Sequence, residues 1–122
     1  MTTQEVAEKL VSYCRTGDFE TCYKELYSSR CVSIEPKGAM VEIANGMSEI
    51  AQKGENWNKM VAVMHGARVG DPIVAGDYFS LTMWNDITFK DGNRMQMDEL
   101  CLYKVVNGKI IKEQFFYNSS SS

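Results

Sequence analysis

Several signals that mark particular protein classes are absent from this sequence of 122 residues. It has one histidine, and its four cysteines follow no C-x-x-C spacing, so a zinc site is hard to assemble and we expect no metal. No segment approaches the roughly 18 to 20 consecutive apolar residues of a membrane span, and the N-terminus lacks a basic start followed by an apolar run. We therefore expect a cytoplasmic protein without a membrane partner.

Positive charge is scarce as well. Lysine and arginine number 13 against 16 aspartate and glutamate residues, and neither half of the chain is basic. A nucleic-acid-binding protein usually carries a cationic stripe that neutralises phosphates, so we expect no nucleic-acid partner. The chain also contains no Gly-rich phosphate loop, no G-x-S-x-G elbow and no H-E-x-x-H helix, so neither a cofactor nor serine hydrolysis is indicated.

The residues that are present suffice for one hydrophobic core. Hydrophobic residues make up 44% of the chain and recur along it until the final serines, so we predict a single domain over residues 1–118 and a disordered tail over 119–122. Because a core of this size does not need disulfides, buried thiols are favoured over two disulfides for the four cysteines.

Two short helices are predicted at the N-terminus. Thr2 and Glu5 have capping-box spacing, and apolar residues then recur on one helical face, so the first helix should span residues 3–15. Gly17 ends it, and Asp18 can cap a second helix whose apolar side chains recur at i, i+3, i+4 and i+7.

A short strand and a third helix follow. Residues 31–35 are partly β-branched and are terminated by Pro36, which is typical of a short edge strand. Apolar positions from 46 to 58 then share one helical face, with Asn45 or Ser48 available as the N-cap.

From Met60 onward the apolar pattern becomes that of β-strands. Asp91-Gly92 and Asn107-Gly108 are strong signals for two-residue hairpin loops. They predict antiparallel strands over residues 78–90, 93–106 and 109–117, which follow an apolar run over 60–69. We therefore predict an α+β fold in which three N-terminal helices pack on a curved antiparallel sheet.

Hairpin register predicts which side chains share a sheet face. With two-residue loops, Trp84 lies opposite Glu99, and Cys101 lies opposite Gln114. One face then carries a mixture of carboxylates, an amide and aromatics: Thr82, Trp84, Asp86, Glu99, Cys101, Tyr103, Gln114 and Phe116. The other face is apolar: Phe79, Leu81, Met83, Ile87, Leu100, Leu102, Ile111 and Phe115.

Two interpretations of these faces are open from register alone. In the first, the mixed face is in water and the apolar face receives the helices. In the second, the helices cover the mixed face incompletely and leave a pocket, while the apolar face, with Phe79, Leu81 and Leu100, packs against a second subunit.

The order of elements, together with V-V-N-G-K-I-I-K-E-Q-F-F-Y at 105–117, resembles the nuclear-transport-factor-2-like superfamily and its SnoaL-like members. The resemblance spans residues 2–117 and favours the second interpretation. It implies a cone with an internal pocket between the helices and the concave sheet face, commonly as a homodimer through the sheet. Ketosteroid isomerases and polyketide cyclases share this cone, as do many non-catalytic binding modules.

The isomerase pattern can be carried onto particular residues. Cys101 falls where the isomerase has the aspartic acid of its oxyanion hole, with Glu99 two residues earlier. An alternative match places Asp98 there, but the predicted register turns Asp98 to the other face. S-I-E-P at 33–36 resembles the segment with the general base, which implies that role for Glu35. The oxyanion-hole tyrosine has no match, since its position holds Leu10.

Three carboxylates are the candidate proton carriers: Glu99, Asp86 and Glu35. Burial beside Trp84 would raise the pKa of Glu99, and Asp86 would be its diagonal neighbour. Each also has a plainer interpretation, as a solvated strand glutamate, a strand-end aspartate and a surface turn residue respectively. Which of these holds is left open.

A further set of residues is predicted to line the pocket: Trp84, His65, Gln114, Phe116, Trp57, Tyr13 and Cys101. Trp84, Phe116 and Trp57 would supply apolar walls, and His65 with Gln114 would orient polar groups. For His65, Tyr13 and Trp57 a core position is the commoner role of such residues, and pocket lining is the alternative. The sequence therefore predicts a homodimeric protein that binds a small, largely apolar molecule, with cofactor-free isomerase or cyclase chemistry as one hypothesis and a non-catalytic binding or dimerisation module as the other.

Overall fold

The computed structural model of the chain describes residues 1–118, in which three helices cover one face of a seven-stranded sheet. The predicted disordered tail, residues 119–122, lies outside the described residues. The helices are Thr3–Thr16 (α1), Phe19–Leu26 (α2) and Gly46–Met60 (α3). The strands are Tyr27–Ile34 (β1), Ile43–Asn45 (β2), Val61–Val69 (β3), Ile73–Ala75 (β4), Tyr78–Phe89 (β5), Arg94–Val106 (β6) and Lys109–Phe116 (β7). None of the helices within residues 1–118 is long and apolar enough to cross a membrane.

The caps of the first two helices confirm the predicted signals. Thr2 and Glu5 form a reciprocal capping box, in which the Glu5 N–H donates to Thr2 Oγ1 at 3.1 Å. Gly17 ends α1 in the left-handed region at φ 74°, and Asp18 Oδ1 accepts from the Thr21 N–H at the start of α2.

The start of α3 differs from the prediction. This helix begins at Gly46, so Ser48 is not its cap, and the Asn45 side chain makes no capping bond. Instead the carboxylate of Glu49 reaches back and accepts from the Asn45 N–H at 2.9 Å. The first turn is therefore held by a side chain inside the helix.

The strands lie in the order β2-β1-β7-β6-β5-β3, and β4 pairs with β5 beyond the end of β3. The predicted antiparallel arrangement holds for every described pair except β1 with β7, which is parallel, so the sheet is mixed. Because this pair joins segments far apart in the chain, no local hairpin signal reports it. The three-residue strands β2 and β4 are also additions to the predicted set.

The register of the β5–β6 hairpin differs from the predicted one by a single residue. Its loop has three residues, 90–92, closed by a bond from the Phe89 N–H to the Asn93 carbonyl at 2.8 Å. Glu99 therefore pairs with Met83 and not with Trp84. Since side chains alternate between faces, the predicted neighbours Trp84 and Glu99 lie on opposite faces of the sheet, and the predicted pairing is wrong.

The β6–β7 hairpin turns at Asn107 and Gly108 as predicted, and both residues have positive φ. The register then shifts beyond Val105, so that Cys101 pairs with Phe115 instead of Gln114. Such a bulge turns the remainder of β7 over by one residue, which brings Glu113 opposite Tyr103.

The face beneath the helices, called the inner face below, carries the hydrophobic core. Phe79 and Leu81 are 1% and 2% exposed there and stack among residues from all three helices. They cannot form the predicted contact with a second subunit, because the helices already cover them. Leu100, the third residue of that predicted contact, lies on the opposite or outer face and is 46% exposed.

Candidate functional site

A cavity of about 670 Å³ opens between α3, the β1–β2 connection and one end of the inner face. One wall is apolar, and the rings of Trp57 and Phe89 meet there edge to face with centroids 5.6 Å apart. Methionines at 60, 95 and 97 extend this wall. Unbranched methionine side chains adapt their shape readily, so the wall suits an apolar ligand.

The polar wall of the cavity is built around Glu35, which follows β1. Its Oε1 accepts a hydrogen bond from the Tyr117 hydroxyl at 2.8 Å, and its Oε2 lies 3.2 Å from Nζ of Lys53 on α3. All three side chains line the cavity and are partly shielded from water. Burial and the bond to Glu35 raise the pKa of Tyr117, so this tyrosine is a neutral donor at physiological pH.

Lys53 connects this wall to the core. Its Nζ also donates to Oγ of the buried Ser33 at 2.6 Å and lies 5.1 Å from the ring centroid of Phe115. Ser33 pairs across the parallel ladder with Glu113, a buried residue that accepts from the Tyr27 hydroxyl. Burial raises the pKa of Glu113 more than these partners lower it.

Glu99 lies on the inner face two residues along β6 from Met97, next to the residues that line the cavity but not itself one of them. Burial raises the pKa of its carboxyl to about 7, with a further contribution from the negative charge of Glu35. A glutamate with this pKa is partly protonated at neutral pH, so it can donate or accept a proton there.

Cys101 is fully buried beside Glu99, with its Sγ 4.0 Å from Glu99 Oε1. Burial raises the pKa of the thiol well above its usual range, so the sulfur is a neutral, weak donor. The structure thus brings four of the predicted site residues to the helix-covered side of the sheet: Glu35, Glu99, Trp57 and Cys101.

The other predicted residues lie elsewhere, and for four of them the two register shifts are the reason: Asp86, Trp84, Gln114 and Phe116. Asp86 is on the outer face, where Arg94 holds it through two bonds at 3.0 and 2.8 Å and keeps its pKa low. The predicted pairing of Asp86 with Glu99 is therefore wrong. His65 is exposed and bonds Oγ1 of Thr88 at 2.7 Å, away from the cavity.

The predicted apolar walls at Trp84 and Phe116 are also displaced. Trp84 lies on the outer face beneath the guanidinium of Arg68, 4.3 Å from the ring centroid. Phe116 is 45% exposed beside Leu100 on the same face. Neither lines the cavity, because the three-residue loop and the bulge turn both side chains outward.

Gln114 and Tyr13 do not reach the cavity either. Gln114 pairs with Leu102 of β6 on the outer face. Tyr13 stays on the helices, where its hydroxyl donates to Glu25 between α1 and α2.

Sequence reasoning missed Lys53, Tyr117, Ser33 and Glu113. A signal for Lys53 was present, since it precedes Trp57 by four residues and so shares its helical face. No such sequence signal was present for Ser33, Tyr117 and Glu113, because their positions depend on the parallel ladder and on the bulge.

Within residues 1–118, no group of three or more histidine, cysteine, aspartate or glutamate side chains could hold a metal ion. One polar atom on the inner face, Oδ1 of Asn85, is buried there without a partner among the described residues. It lies opposite Met97 in the β5–β6 ladder.

The family model for the SnoaL-like domain matches residues 1–117. The chain belongs to the SnoaL-like family. A solved structure from Mesorhizobium loti, that of a candidate SnoaL-like polyketide cyclase, is 33% identical, has a TM-score of 0.90, and the match covers 96% of this chain and 100% of that one. No protein of curated function matches the sequence.

More distant SnoaL-like and related structures share the fold. A candidate SnoaL-like polyketide cyclase from a Jannaschia species is 13% identical with a TM-score of 0.76, over 96% of this chain and 87% of that one. A Catenulispora acidiphila protein with a ketosteroid isomerase-like fold, in complex with trimethylamine, is 16% identical with a TM-score of 0.74, over 94% and 87%. The predicted α+β cone fold is thus confirmed.

Proposed function

We propose that this SnoaL-like protein binds a small, largely apolar molecule in the cavity and catalyses a cofactor-free acid/base step on it, of the isomerase or cyclase kind. One observation carries the proposal. A carboxylate held by Lys53 and Tyr117 lines a cavity with one apolar wall, and a second carboxyl with a pKa of about 7 lies on the inner face two residues from Met97 of that wall. Two carboxyls in unlike surroundings suit separate base and acid roles.

The chemistry follows from these surroundings. Glu35 takes a proton from a carbon next to a ligand carbonyl. A ligand that extends past Met97 brings the carbonyl oxygen to protonated Glu99, which donates a hydrogen bond to it as negative charge develops there. In an isomerisation, Glu35 returns that proton to another carbon of the ligand and Glu99 keeps its own. In a ring closure, the enolate carbon attacks a second carbonyl, and Glu99 gives its proton to the resulting alkoxide and regains one from Glu35 through the solvent.

Deuterium exchange tests this proposal without a known substrate. In D₂O the protein is expected to accelerate exchange at the carbon next to the carbonyl of 1-tetralone, a bicyclic ketone, as followed by proton NMR. Glu35→Gln should lower the exchange rate by about 10²- to 10⁴-fold, the usual size of a general-base contribution. Glu55→Gln, on the exposed side of α3, makes the same chemical change outside the cavity and should leave the rate unaltered.

Binding without exchange would favour the alternative, a non-catalytic binding module. In that case 1-tetralone quenches the fluorescence of Trp57 in the cavity wall, but the exchange rate with the wild-type protein or any variant equals the uncatalysed rate.

We also propose that the protein is a homodimer through its outer sheet face and acts in the cytoplasm. The exposed Leu100 and Phe116 support the homodimer. The four free thiols support the cytoplasm, which is a reducing compartment.

A further inference from the structure

Glu113 is a buried carboxyl that the proposed chemistry leaves unused. It is 3% exposed on β7, between Ser33 of β1 and Tyr103 of β6. The Tyr27 hydroxyl donates to its Oε1. A buried carboxyl is costly unless its hydrogen bonds are made, so its partners are of particular interest.

Ser33 connects Glu113 to the cavity. Its hydroxyl has one proton to donate and lone pairs to accept. Because the Lys53 ammonium can only donate, the 2.6 Å contact between Nζ and Oγ occupies a lone pair of Ser33 and leaves the Ser33 proton for another acceptor. Glu113 faces Ser33 directly across the parallel ladder, and a hydrogen bond from Ser33 is among the causes that lower the pKa of its carboxyl, so we assign this proton to Glu113.

The chain of contacts continues to the proposed base. The Lys53 ammonium, held from behind by Ser33, lies 3.2 Å from Oε2 of Glu35. A lysine side chain is a flexible four-carbon chain, so without the contact to Ser33 the ammonium would sample several positions. We infer that Glu113 and Ser33 are positioning residues for Glu35: Glu113 fixes the Ser33 hydroxyl, Ser33 fixes the Lys53 ammonium, and the ammonium fixes the carboxylate in the cavity wall.

This inference rests on the proposed function only for the role of Glu35, so its first test uses no ligand. The ¹H–¹⁵N signal of a lysine ammonium is observed when hydrogen bonds slow its exchange with water. The wild-type protein should show one for Lys53, assigned by its loss in Lys53→Met. The signal should disappear in Ser33→Ala and in Glu113→Leu, which remove the two supporting contacts.

Two further variants separate positioning from general loosening of the core. Glu113→Gln keeps a side-chain oxygen that can accept from Ser33 and should retain the Lys53 signal. Ile110→Val removes one methylene from a buried residue on the same strand and should also retain it. Retention of the signal in a folded Glu113→Leu protein, or its loss in Ile110→Val, would overturn the inference. If Glu113→Leu does not fold, Ser33→Ala and Glu113→Gln still decide the question.

The exchange assay on 1-tetralone supplies the second readout. Ser33→Ala should lower the exchange rate by about 10- to 100-fold, the usual cost of a small misplacement of a reacting group, while Glu113→Gln keeps it. Should the NMR signal follow the expected pattern while even the wild-type protein gives no exchange, the proposed function fails and the positioning role stands. If instead Ser33→Ala leaves both the exchange rate and the Lys53 signal unchanged, only the positioning role of Ser33 and Glu113 is contradicted.

Discussion

Glu99 shows how a single residue changes character with its surroundings. On the sequence it is one of 16 acidic residues, but in the fold it lies among buried side chains, beside the thiol of Cys101 and within the field of Glu35. Burial disfavours the charged form of any carboxyl, and a nearby negative charge disfavours it further. Both effects act in the same direction, which is why its pKa reaches about 7.

This raised pKa predicts a pH-dependent stability. The folded protein holds the proton of Glu99 up to a pH of about 7, whereas the unfolded chain releases it near 4.5, so the favourable contribution is complete below the lower value and is lost as pH rises through the upper one. The whole shift corresponds to about 3 kcal/mol. Relative to Glu99→Gln, the free energy of unfolding of the wild-type protein should therefore fall by about this amount between acidic and mildly alkaline pH.

Urea denaturation of both proteins at a series of pH values measures the difference. Taking the difference between variant and wild type cancels the titration of all other groups. Glu55→Gln, an exposed glutamate on α3, should show no such trend. A difference that stays flat with pH would mean that the Glu99 carboxyl is in contact with water.

The residues that the sequence did not predict for the candidate site are ones that hydrogen-bond to other residues of that site. Glu35 and Glu99 could be found from the sequence, because a family resemblance placed one and a strand pattern placed the other. Lys53 and Tyr117 acquire their importance only from their contacts with Glu35. Those contacts join α3, the end of β1 and the chain after β7, and no single segment carries information about all three.

At the level of elements, one loop residue decides which side chains reach the cavity. The D-G dipeptide predicted the position of the β5–β6 turn correctly but not its length. A two-residue loop would put Trp84 beside Glu99, whereas the observed three-residue loop puts Met83 there. The same residues are found in hairpin loops of either length, so packing of the inner face, and not the loop sequence, determines the loop length.

The three-residue loop makes Gly92 its sensitive position. Gly92 has φ 94°, a conformation that side chains with a Cβ rarely adopt. Gly92→Ala should therefore lower the free energy of unfolding by about 1 kcal/mol. Gly54→Ala is the matched control, because Gly54 lies inside α3 with open space around it and should gain about 0.5–1 kcal/mol.

Thermal and urea unfolding of the two alanine variants measures these changes in the free energy of unfolding, which should be opposite in sign. An unchanged or raised stability in Gly92→Ala would show that the loop tolerates a side chain and that its conformation does not define the register. The outcome matters for the cavity as well, since a loop one residue shorter would turn Glu99 to the other face relative to β5.

The helices and strands themselves were more predictable than their pairing. Caps at Thr2, Asp18 and Gly17 act through neighbouring backbone groups, so local sequence is enough to identify them. The bulge in β7 and the parallel pairing of β1 instead depend on contacts between distant segments. The fold class was therefore accessible from the sequence, while the exact face of each strand was not.

At the scale of the whole molecule, the outer sheet face is the surface that the helices leave uncovered. Leu100 and Phe116 pair with each other there and are 46% and 45% exposed. Contiguous exposed apolar surface marks candidate contacts between proteins, and this pair is the part of the outer face on which the proposed homodimer rests. A symmetric contact between two such faces would cover both pairs at once.

The proposed homodimer can be tested by placing a charge in that contact. Sedimentation equilibrium should give about twice the 13.8 kDa of one chain for the wild-type protein. Leu100→Lys should weaken association by about 100-fold, because an unpaired charge buried in the interface costs about 3 kcal/mol. Phe19→Lys makes the same kind of change at a 50% exposed residue on α2, on the helical side, and should leave the dimer intact. A wild-type protein that sediments as a single chain at all concentrations would contradict the homodimer. A dimer that is dissociated by Phe19→Lys but not by Leu100→Lys would place the contact on the helical side.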